Sequence, residues 1–335
     1  ASCLVGSEMC IRDSAMPMYR PLRPAGTLDV PIRQGRYRLH VWEPAEAHDE
    51  PAPPAPSGGQ EQPLLLLLHG WMDVGASYQF MVDALPEAFM QGRRIVAPDW
   101  RGFGHSALPA ADHVVFADYL ADLDALIDTL SPHRPVDLVG HSMGGNVAML
   151  YAGVRPERVR RLVNLEGFGL PASTADQAPG RYAQWLDEIR DLHRGSLALR
   201  GYADAGAVAR RLVRTNPRLD PARADWLAQQ WAEPRADGQW HLLAEAAHKV
   251  VSAQLYRADE VAAVWRAIRA PVLVVEASDN AMAGLWQGRY TLDDFHARLQ
   301  AVAHARIERL GPAGHNVHHD QPEALAALVC GFLAG

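Results

Sequence analysis

Residues 136–145 read VDLVGHSMGG, and this stretch decides the fold. It opens with a short, mostly apolar run typical of a buried strand, and a helical segment at 146–153 follows it. The residues in between predict a strained strand-to-helix turn in which small neighbours let other backbones approach, so that the Ser142 hydroxyl projects above the sheet. A glycine-rich turn with a capping serine is the simpler alternative. Because the motif itself also occurs by chance, the strand and helix around it carry the argument.

The alternation of strand and helix continues along the chain on both sides of this turn. Short continuous apolar runs such as 64–68 predict strands buried on both faces, and residues 116–130 have the spacing of an amphipathic helix. Residues 36–42 alternate in polarity and predict an early edge strand. This pattern is typical of an α/β fold with a mostly parallel central sheet flanked by helices. The other predicted elements are strands at 94–97, 162–165, 271–275 and 306–310 and helices at 291–303 and 322–333.

One long segment interrupts this alternation. Residues 167–269 contain no run typical of a buried strand and instead carry helical patterns. They predict a mostly helical subdomain, which divides the core into 16–166 and 270–335. Its helical patterns fall at 181–193, 205–214 and 221–231, and its predicted core includes Trp185, Trp226, Trp231 and Trp240.

Composition excludes several classes of function. The formal net charge of −7 gives no global basic field of the kind that binds nucleic acid. No apolar run approaches the roughly 20 residues of a membrane span, and three cysteines make no disulfide framework. We therefore expect a cytoplasmic protein whose partner is a small molecule, and the oligomeric state stays open.

Two segments are expected to lie outside the packed core. Residues 1–14 read ASCLVGSEMCIRDS, lack the pattern of a signal peptide and resemble a translated adapter in front of a metagenomic, bacterial reading frame. We therefore predict a non-native or disordered leader over 1–15, with a native start at Met16 or Met18. Residues 50–62 are rich in proline and glycine and predict a flexible surface loop.

A serine hydroxyl is a weak nucleophile and needs a base, which the sequence offers late in the chain. The stretch LGPAGHNVHHDQPEAL at 310–325 holds three histidines between a predicted strand and the last helix. His315, which follows Gly314, is the predicted base, whereas His318 and His319 lie nearer the last helix and are expected to be surface residues or residues that support the site from behind.

Backbone amides could stabilise an oxyanion beside this serine. The Met143 amide stands at a helix N-terminus, where the partial positive charge favours a developing negative charge. The strand at 64–68 ends in His69-Gly70-Trp71, and the glycine allows the Trp71 amide to face the same point. An ordinary strand exit is the alternative at this second position.

Together the stretches HGW, PDWRGFGHS, GHSMGG and GHNVHHDQPEA resemble the α/β-hydrolase superfamily over about residues 36 to 335. The late histidine stretch and the RGFGHS segment are similar to the corresponding motifs of the branch that contains haloalkane dehalogenases, epoxide hydrolases and serine esterases. That resemblance implies a helical cap after the sixth strand of the sheet. Dehalogenases and epoxide hydrolases of this fold carry an aspartate where this chain has Ser142. A carboxylesterase acting on small-molecule esters of short to medium acyl chains is therefore implied, with no metal and no organic cofactor.

The acid that would orient the histidine has two candidates. The resemblance implies an acid after the seventh strand, but this chain reads VLVVEASDN there, with Asn280 at the expected position and Asp279 one residue out of register. Some members of the branch place the acid after the sixth strand, where LVNLEGFG puts Glu166. A buried carboxylate needs a partner, which His315 would supply, so Glu166 is favoured over Asp279.

Other functions fit the same residues. A C–C bond hydrolase, a thioesterase, a lactonase and a perhydrolase use the same constellation, because fold and triad do not decide among them. A ligand-binding module that keeps the fold without turnover is the alternative from another class.

Overall fold

The computed structural model describes residues 18–43, 64–280 and 282–335. The predicted leader at 1–15 and the predicted loop at 50–62 lie outside the described residues. Eight strands form one sheet in the order β1-β2-β4-β3-β5-β6-β9-β10. These strands are β1 Gly26–Ile32, β2 Gly35–Trp42, β3 Leu64–Leu68, β4 Arg94–Pro98, β5 Val136–His141, β6 Val159–Leu165, β9 Val272–Ala277 and β10 Ala305–Leu310. The pairs β1/β2 and β2/β4 are antiparallel and all other pairs are parallel, which confirms the predicted α/β-hydrolase fold.

The prediction of an edge strand at 36–42 was wrong. β2 lies between β1 and β4, and among the described strands β1 lies at this edge of the sheet. Sequence reasoning missed β1 because its first four residues are exposed and because Asp29 and Pro31 interrupt the apolar pattern that would indicate a strand. A proline lacks the N–H that an inner strand must donate, and it is tolerated here because β1 has a strand neighbour on one side only within the described part of the chain.

Helices cover both faces of the sheet and explain its continuous apolar strands. In β3 the side chains of Leu64, Leu66 and Leu68 enter one core cluster, and those of Leu65 and Leu67 enter the other. Successive side chains of a strand point to opposite faces, so a strand covered on both sides is apolar throughout. On one face lie α3 Phe116–Leu130, α4 Met143–Val154, α8 Ala258–Arg266 and α10 Leu292–Leu299, and on the other lie α1 Gln79–Asp83, α2 Glu87–Met90, α11 Val317–Asp320 and α12 Pro322–Ala334.

Residues 167–269, which we call the helical insert, follow β6. They contain α5 Ala178–His193, α6 Ala205–Thr215, α7 Pro221–Trp231, α8 and a short hairpin of β7 Ala232–Pro234 and β8 Trp240–Leu242; a further short helix, α9 Met282–Trp286, follows β9. α6, α7 and the hairpin share a core of their own with Phe80 from the sheet domain, and Trp226, Trp231 and Trp240 pack against it. α5 buries no residue. Within the described residues, no helix combines the length and apolarity needed to span a bilayer.

Candidate active site

The serine turn has the strained backbone that its sequence predicts. β5 ends at His141, α4 begins at Met143, and Ser142 between them has φ 52° and ψ −112°. L-amino acids rarely adopt this conformation, which costs roughly 1–3 kcal/mol unless the surroundings hold it. The Ser142 N–H donates to the Leu165 carbonyl at 2.8 Å, which ties the turn to the end of β6. Ser142 therefore stands where the carboxyl ends of β5 and β6 meet.

Two glycines permit the close packing around this turn. A Cβ on Gly140 would lie 2.5 Å from the Gly144 carbonyl oxygen, and a Cβ on Gly144 would lie 2.1 Å from the Leu68 carbonyl oxygen. Atoms at these distances overlap, and a close-packed interior cannot absorb the displacement cheaply. Neither position has room for a side chain, so backbone contact fixes the serine turn against the end of β3.

His315 lies in the loop after β10 and faces Ser142. Its Nε2 is 3.0 Å from the Ser142 Oγ, and 41% of its side chain is exposed. The Nε2–H of His141 donates to the His315 carbonyl at 2.8 Å. Burial lowers the pKa of His141 well below its usual value, so this ring is neutral and its Nε2 carries the proton. The serine turn thus anchors the backbone of the histidine across 174 positions of sequence.

Glu166 lies on the other side of the His315 ring. Its Oε2 is 3.4 Å from the His315 Nδ1, and its Oε1 accepts the Ala277 N–H at 2.6 Å. Glu166 is only 2% exposed and has a positive φ of 55°. The carboxamide of Asn164 encloses this turn, because its Oδ1 accepts the Gly167 N–H at 3.0 Å and its Nδ2 donates to the Gly167 carbonyl at 2.8 Å.

Asp279 has a different environment. Its carboxylate accepts a hydrogen bond from Arg218 of the helical insert, and its side chain is 59% exposed. Its backbone N–H donates to the Ala313 carbonyl at 2.9 Å. The structure thus brings Glu166 into hydrogen-bond distance of His315 and pairs Asp279 with a cation of the insert.

The two predicted oxyanion donors belong to backbone segments that flank Ser142. Met143 is the first residue of α4, where the N–H groups of the first turn have no partner within the helix. Trp71 follows Gly70, and a Cβ on Gly70 would lie 3.4 Å from the Ser142 Cβ, so this backbone passes beside the serine. The Trp71 indole N–H donates to the His248 carbonyl at 3.2 Å, which links the segment to the helical insert.

Sequence reasoning missed two supporting residues, His141 and Asn164. Both are buried polar side chains close to the carboxyl ends of β5 and β6. That position was a usable signal, because a buried polar group is costly unless it has a hydrogen-bond partner. The partners themselves, in the loop after β10 and in the turn after β6, could not be read from the pattern.

A further polar cluster lies behind the site. Asp73, His141 and His318 are buried, and one possible ligand atom from each lies within 4.8 Å of the others. The His318 Nε2 and the Asp73 Oδ2 are 3.9 Å apart, whereas zinc ligands 2.0–2.3 Å from a shared ion stand roughly 3.5 Å apart. The spacing of these residues in the sequence had indicated no such cluster, because they come from three separate segments.

Buried histidines make the fold sensitive to acid. Burial lowers the pKa of His69 to about 4, of His248 to about 4 and of His319 to about 3. Each folded value lies below the 6.5 of an unfolded histidine, so the unfolded chain binds more protons in acid. The contribution of these neutral histidines to the free energy of unfolding is therefore complete above pH 6.5 and is lost as the pH falls toward 4. Asp73 acts in the opposite direction, because burial raises its pKa to about 7 and its protonated form favours the native state.

We expect His319→Gln to reduce the acid sensitivity of the fold. Below pH 6.5, each buried neutral histidine lowers the free energy of unfolding by about 1 kcal/mol for each pH unit. Between pH 6.5 and 5.5 the variant should therefore lose about 1 kcal/mol less free energy of unfolding than the wild type. Urea unfolding at the two pH values measures this difference. The exposed residue His133 offers a matched control, since His133→Gln should lose as much stability as the wild type. Equal losses in all three proteins would contradict the argument.

The fold and the serine turn define a class of protein, and comparison with known proteins agrees. Residues 63–322 match the family model described as alpha/beta hydrolase fold, and the chain therefore belongs to that family. This confirms the predicted superfamily and, at the level of a hydrolase, the predicted kind of enzyme.

Three similar proteins illustrate the relationship. A serine hydrolase-like protein of Danio rerio is 28% identical over 321 residues, which cover 93% of this chain and 89% of that protein. A 2-hydroxy-6-oxo-2,4-heptadienoate hydrolase of Pseudomonas putida is 34% identical over 282 residues, covering 81% and 88%. The crystal structure of a hypothetical protein of Pseudomonas aeruginosa PAO1 superposes with a TM-score of 0.76 at 25% identity, covering 92% and 99%.

Proposed function

We propose that the protein hydrolyses carboxylic esters of small molecules through an acyl-enzyme on Ser142. The observation that carries the proposal is the alignment of three side chains, with the Ser142 Oγ 3.0 Å from the His315 Nε2 and the Glu166 Oε2 3.4 Å from the Nδ1 of the same ring. A nucleophile, its base and a group that orients the base thus follow one another in hydrogen-bond distance.

In the first half of the reaction the serine is acylated. The Ser142 oxygen attacks the ester carbonyl carbon while His315 takes the hydroxyl proton, and the carbonyl electrons move onto the oxygen. When the tetrahedral intermediate collapses, the C–O bond to the alcohol breaks and His315 gives the proton to the departing alkoxide. Glu166 holds the proton on the His315 Nδ1 and stabilises the imidazolium that forms, without accepting that proton itself.

The amides of Trp71 and Met143 are assigned to the oxyanion of this intermediate. Removing one such donor typically costs about 100- to 1,000-fold in rate, so a pair of fixed donors is a substantial part of catalysis. In the second half a water molecule attacks the acyl carbon while His315 takes its proton. The bond between the acyl carbon and the Ser142 oxygen then breaks as His315 returns the proton to that oxygen. The products are a carboxylic acid and an alcohol, and none of these steps calls for a metal or an organic cofactor.

Initial rates on p-nitrophenyl esters from acetate to palmitate test the proposal. Turnover that depends on Ser142 and is fastest for short or medium acyl chains is the expected result. Equal turnover by the wild type and Ser142→Ala would reject the mechanism. Serine-dependent but barely measurable turnover on the whole series would reject the ester as substrate and leave the triad in place.

Asn164→Ala should lower kcat by about 10- to 100-fold and leave KM nearly unchanged. The variant removes both hydrogen bonds to Gly167 that hold the positive φ of Glu166, and misplacing an orienting group by about 1 Å costs on this scale. Steady-state kinetics on the best ester measures it, with the melting temperature recorded to exclude unfolding. Asn164→Asp keeps the acceptor for the Gly167 N–H but sets a buried carboxylate oxygen against the Gly167 carbonyl, so it should not restore the wild-type rate. A loss confined to KM would contradict the positioning role.

A second candidate is hydrolysis of a C–C bond beside a ketone by the same residues. The observation that favours it is the relative of Pseudomonas putida named for 2-hydroxy-6-oxo-2,4-heptadienoate, which is 34% identical. Water would add to the ketone carbon and the bond to the dienol would break, leaving a carboxylic acid and a hydroxydienoate. Turnover of that dienoate at a kcat/KM far above the best ester, followed by its ultraviolet absorbance, would select this candidate.

A further inference from the structure

The loop that carries His315 is connected to the helical insert through one carboxylate. Asp320, at the end of α11, accepts the Gly314 N–H on its Oδ2 at 2.7 Å. Its other oxygen, Oδ1, accepts a hydrogen bond from the Asn216 Nδ2, also at 2.7 Å. Gly314 directly precedes His315 in the chain. Asp320 therefore joins the backbone next to His315 to a side chain of the insert that lies 104 positions away in the sequence.

Asn216 is fixed firmly on the side of the insert. It is 7% exposed and ends α6, where its backbone N–H donates to the Leu212 carbonyl at 2.8 Å. Its Oδ1 accepts the Arg218 N–H at 3.3 Å, so the orientation of the carboxamide is set and the Nδ2 is directed at Asp320. A movement of α6 must therefore move Asn216 with it and strain the hydrogen bond to Asp320.

A hydrogen bond to a charged group, such as the Asp320 carboxylate, is stronger than one between neutral groups. Because the Asn216 carboxamide is buried, the geometry of its hydrogen bond to Asp320 is restricted. The His315 carbonyl is held separately by His141, which belongs to the sheet domain. The histidine loop, residues 311–316, is thus tied to the serine turn through the His315 carbonyl and to the insert through Asp320, in addition to the bonds that Ala313 makes to Ser278 and Asp279 after β9. The bonds at the Gly314 N–H and at the His315 carbonyl are the ones next to the ring that lies between Ser142 and Glu166.

We propose that Asn216 is a positioning residue through which the helical insert holds His315 in line with Ser142. The inference rests on the proposed function, because it assigns to the insert a control over the base of that same reaction. A substrate that displaces α6 loosens His315, and one that fits beneath the insert leaves it aligned.

The test compares Asn216→Ala with the wild type in two ways. The rate of covalent inactivation by a fluorophosphonate reports how far His315 activates Ser142 as a nucleophile, and we expect it to fall about tenfold. For p-nitrophenyl acetate, kcat should fall about tenfold with KM within about twofold, because the acyl group is too small to depend on the insert. Hydrogen–deuterium exchange of residues 311–321 should become faster, and this readout does not depend on activity.

Two further variants complete the design. Asn216→Asp keeps the size of the side chain but places a carboxylate against Asp320, so it should show the same losses if Asn216→Ala fails to fold. Glu323→Gln is the matched control, because it breaks the pair between Arg223 of α7 and exposed Glu323 of α12 without involving the histidine loop. It should leave all readouts unchanged.

Three outcomes would overturn the inference. They are unchanged exchange at 311–321 in Asn216→Ala, faster exchange with an unchanged rate of inactivation, and equal losses in Glu323→Gln. A wild type that the fluorophosphonate does not label would instead reject the proposed function. The exchange experiment would then still decide whether Asn216 holds the histidine loop.

Discussion

Ser142→Ala should abolish the proposed ester hydrolysis, with an expected fall in kcat of at least about 10⁴-fold, because without the hydroxyl no acyl-enzyme can form and only the proposed oxyanion donors and binding contacts would remain. The melting temperature should stay close to that of the wild type, since the side chain fills no core position. Rates on the best p-nitrophenyl ester, fluorophosphonate labelling and thermal melts measure the three properties. Activity within tenfold of the wild type would show that another nucleophile acts.

Ser142→Gly separates the chemistry from the strain of the turn. It should be as inactive as Ser142→Ala, but it should gain stability, because glycine adopts the φ of 52° without steric cost. We expect a gain of about 1 kcal/mol in the free energy of unfolding relative to Ser142→Ala. Equal stability of the two variants would mean that the surroundings do not hold Ser142 in a strained conformation.

Glu166→Gln should lower kcat by about 10³- to 10⁴-fold, the second largest effect that we expect. The glutamine keeps the shape of the side chain and can still accept the Ala277 N–H. Its NH₂ group would then face the His315 Nδ1 and favour the tautomer with the proton on Nε2. A ring protonated on Nε2 cannot accept the proton of Ser142, so the loss falls on kcat.

Asp279→Asn is the matched control for this variant. It removes one charge of an exposed ion pair with Arg218, and such pairs contribute little, so we expect a loss of less than about tenfold. Both variants are measured with the same ester, and the order of the two losses decides the assignment. A larger loss in Asp279→Asn would move the orienting acid to the position after β9.

Local sequence was sufficient wherever steric demands act over a few neighbouring residues. The turn at Ser142 needs glycines at 140 and 144 because backbone atoms lie within 2.5 Å of the positions that a Cβ would occupy there. Both glycines belong to the motif itself, so the sequence shows this requirement directly. Strands buried on both faces were likewise predicted from continuous apolar runs, since burial on two faces leaves few polar positions. Strand β1 was not predicted because it is partly exposed and therefore has no continuous apolar run.

The sequence by itself determined the α/β-hydrolase fold, the serine turn and the histidine that faces it. Only the tertiary structure decided which carboxylate lies beside His315, because Glu166 and His315 are 149 positions apart and meet through the packing of β6 against β9. The attachment of the histidine loop to Asn216 was equally hidden, since it depends on where an insert of about a hundred residues comes to rest. Short-range sterics are encoded in a motif, whereas the meeting of distant side chains follows from strand order and helix docking.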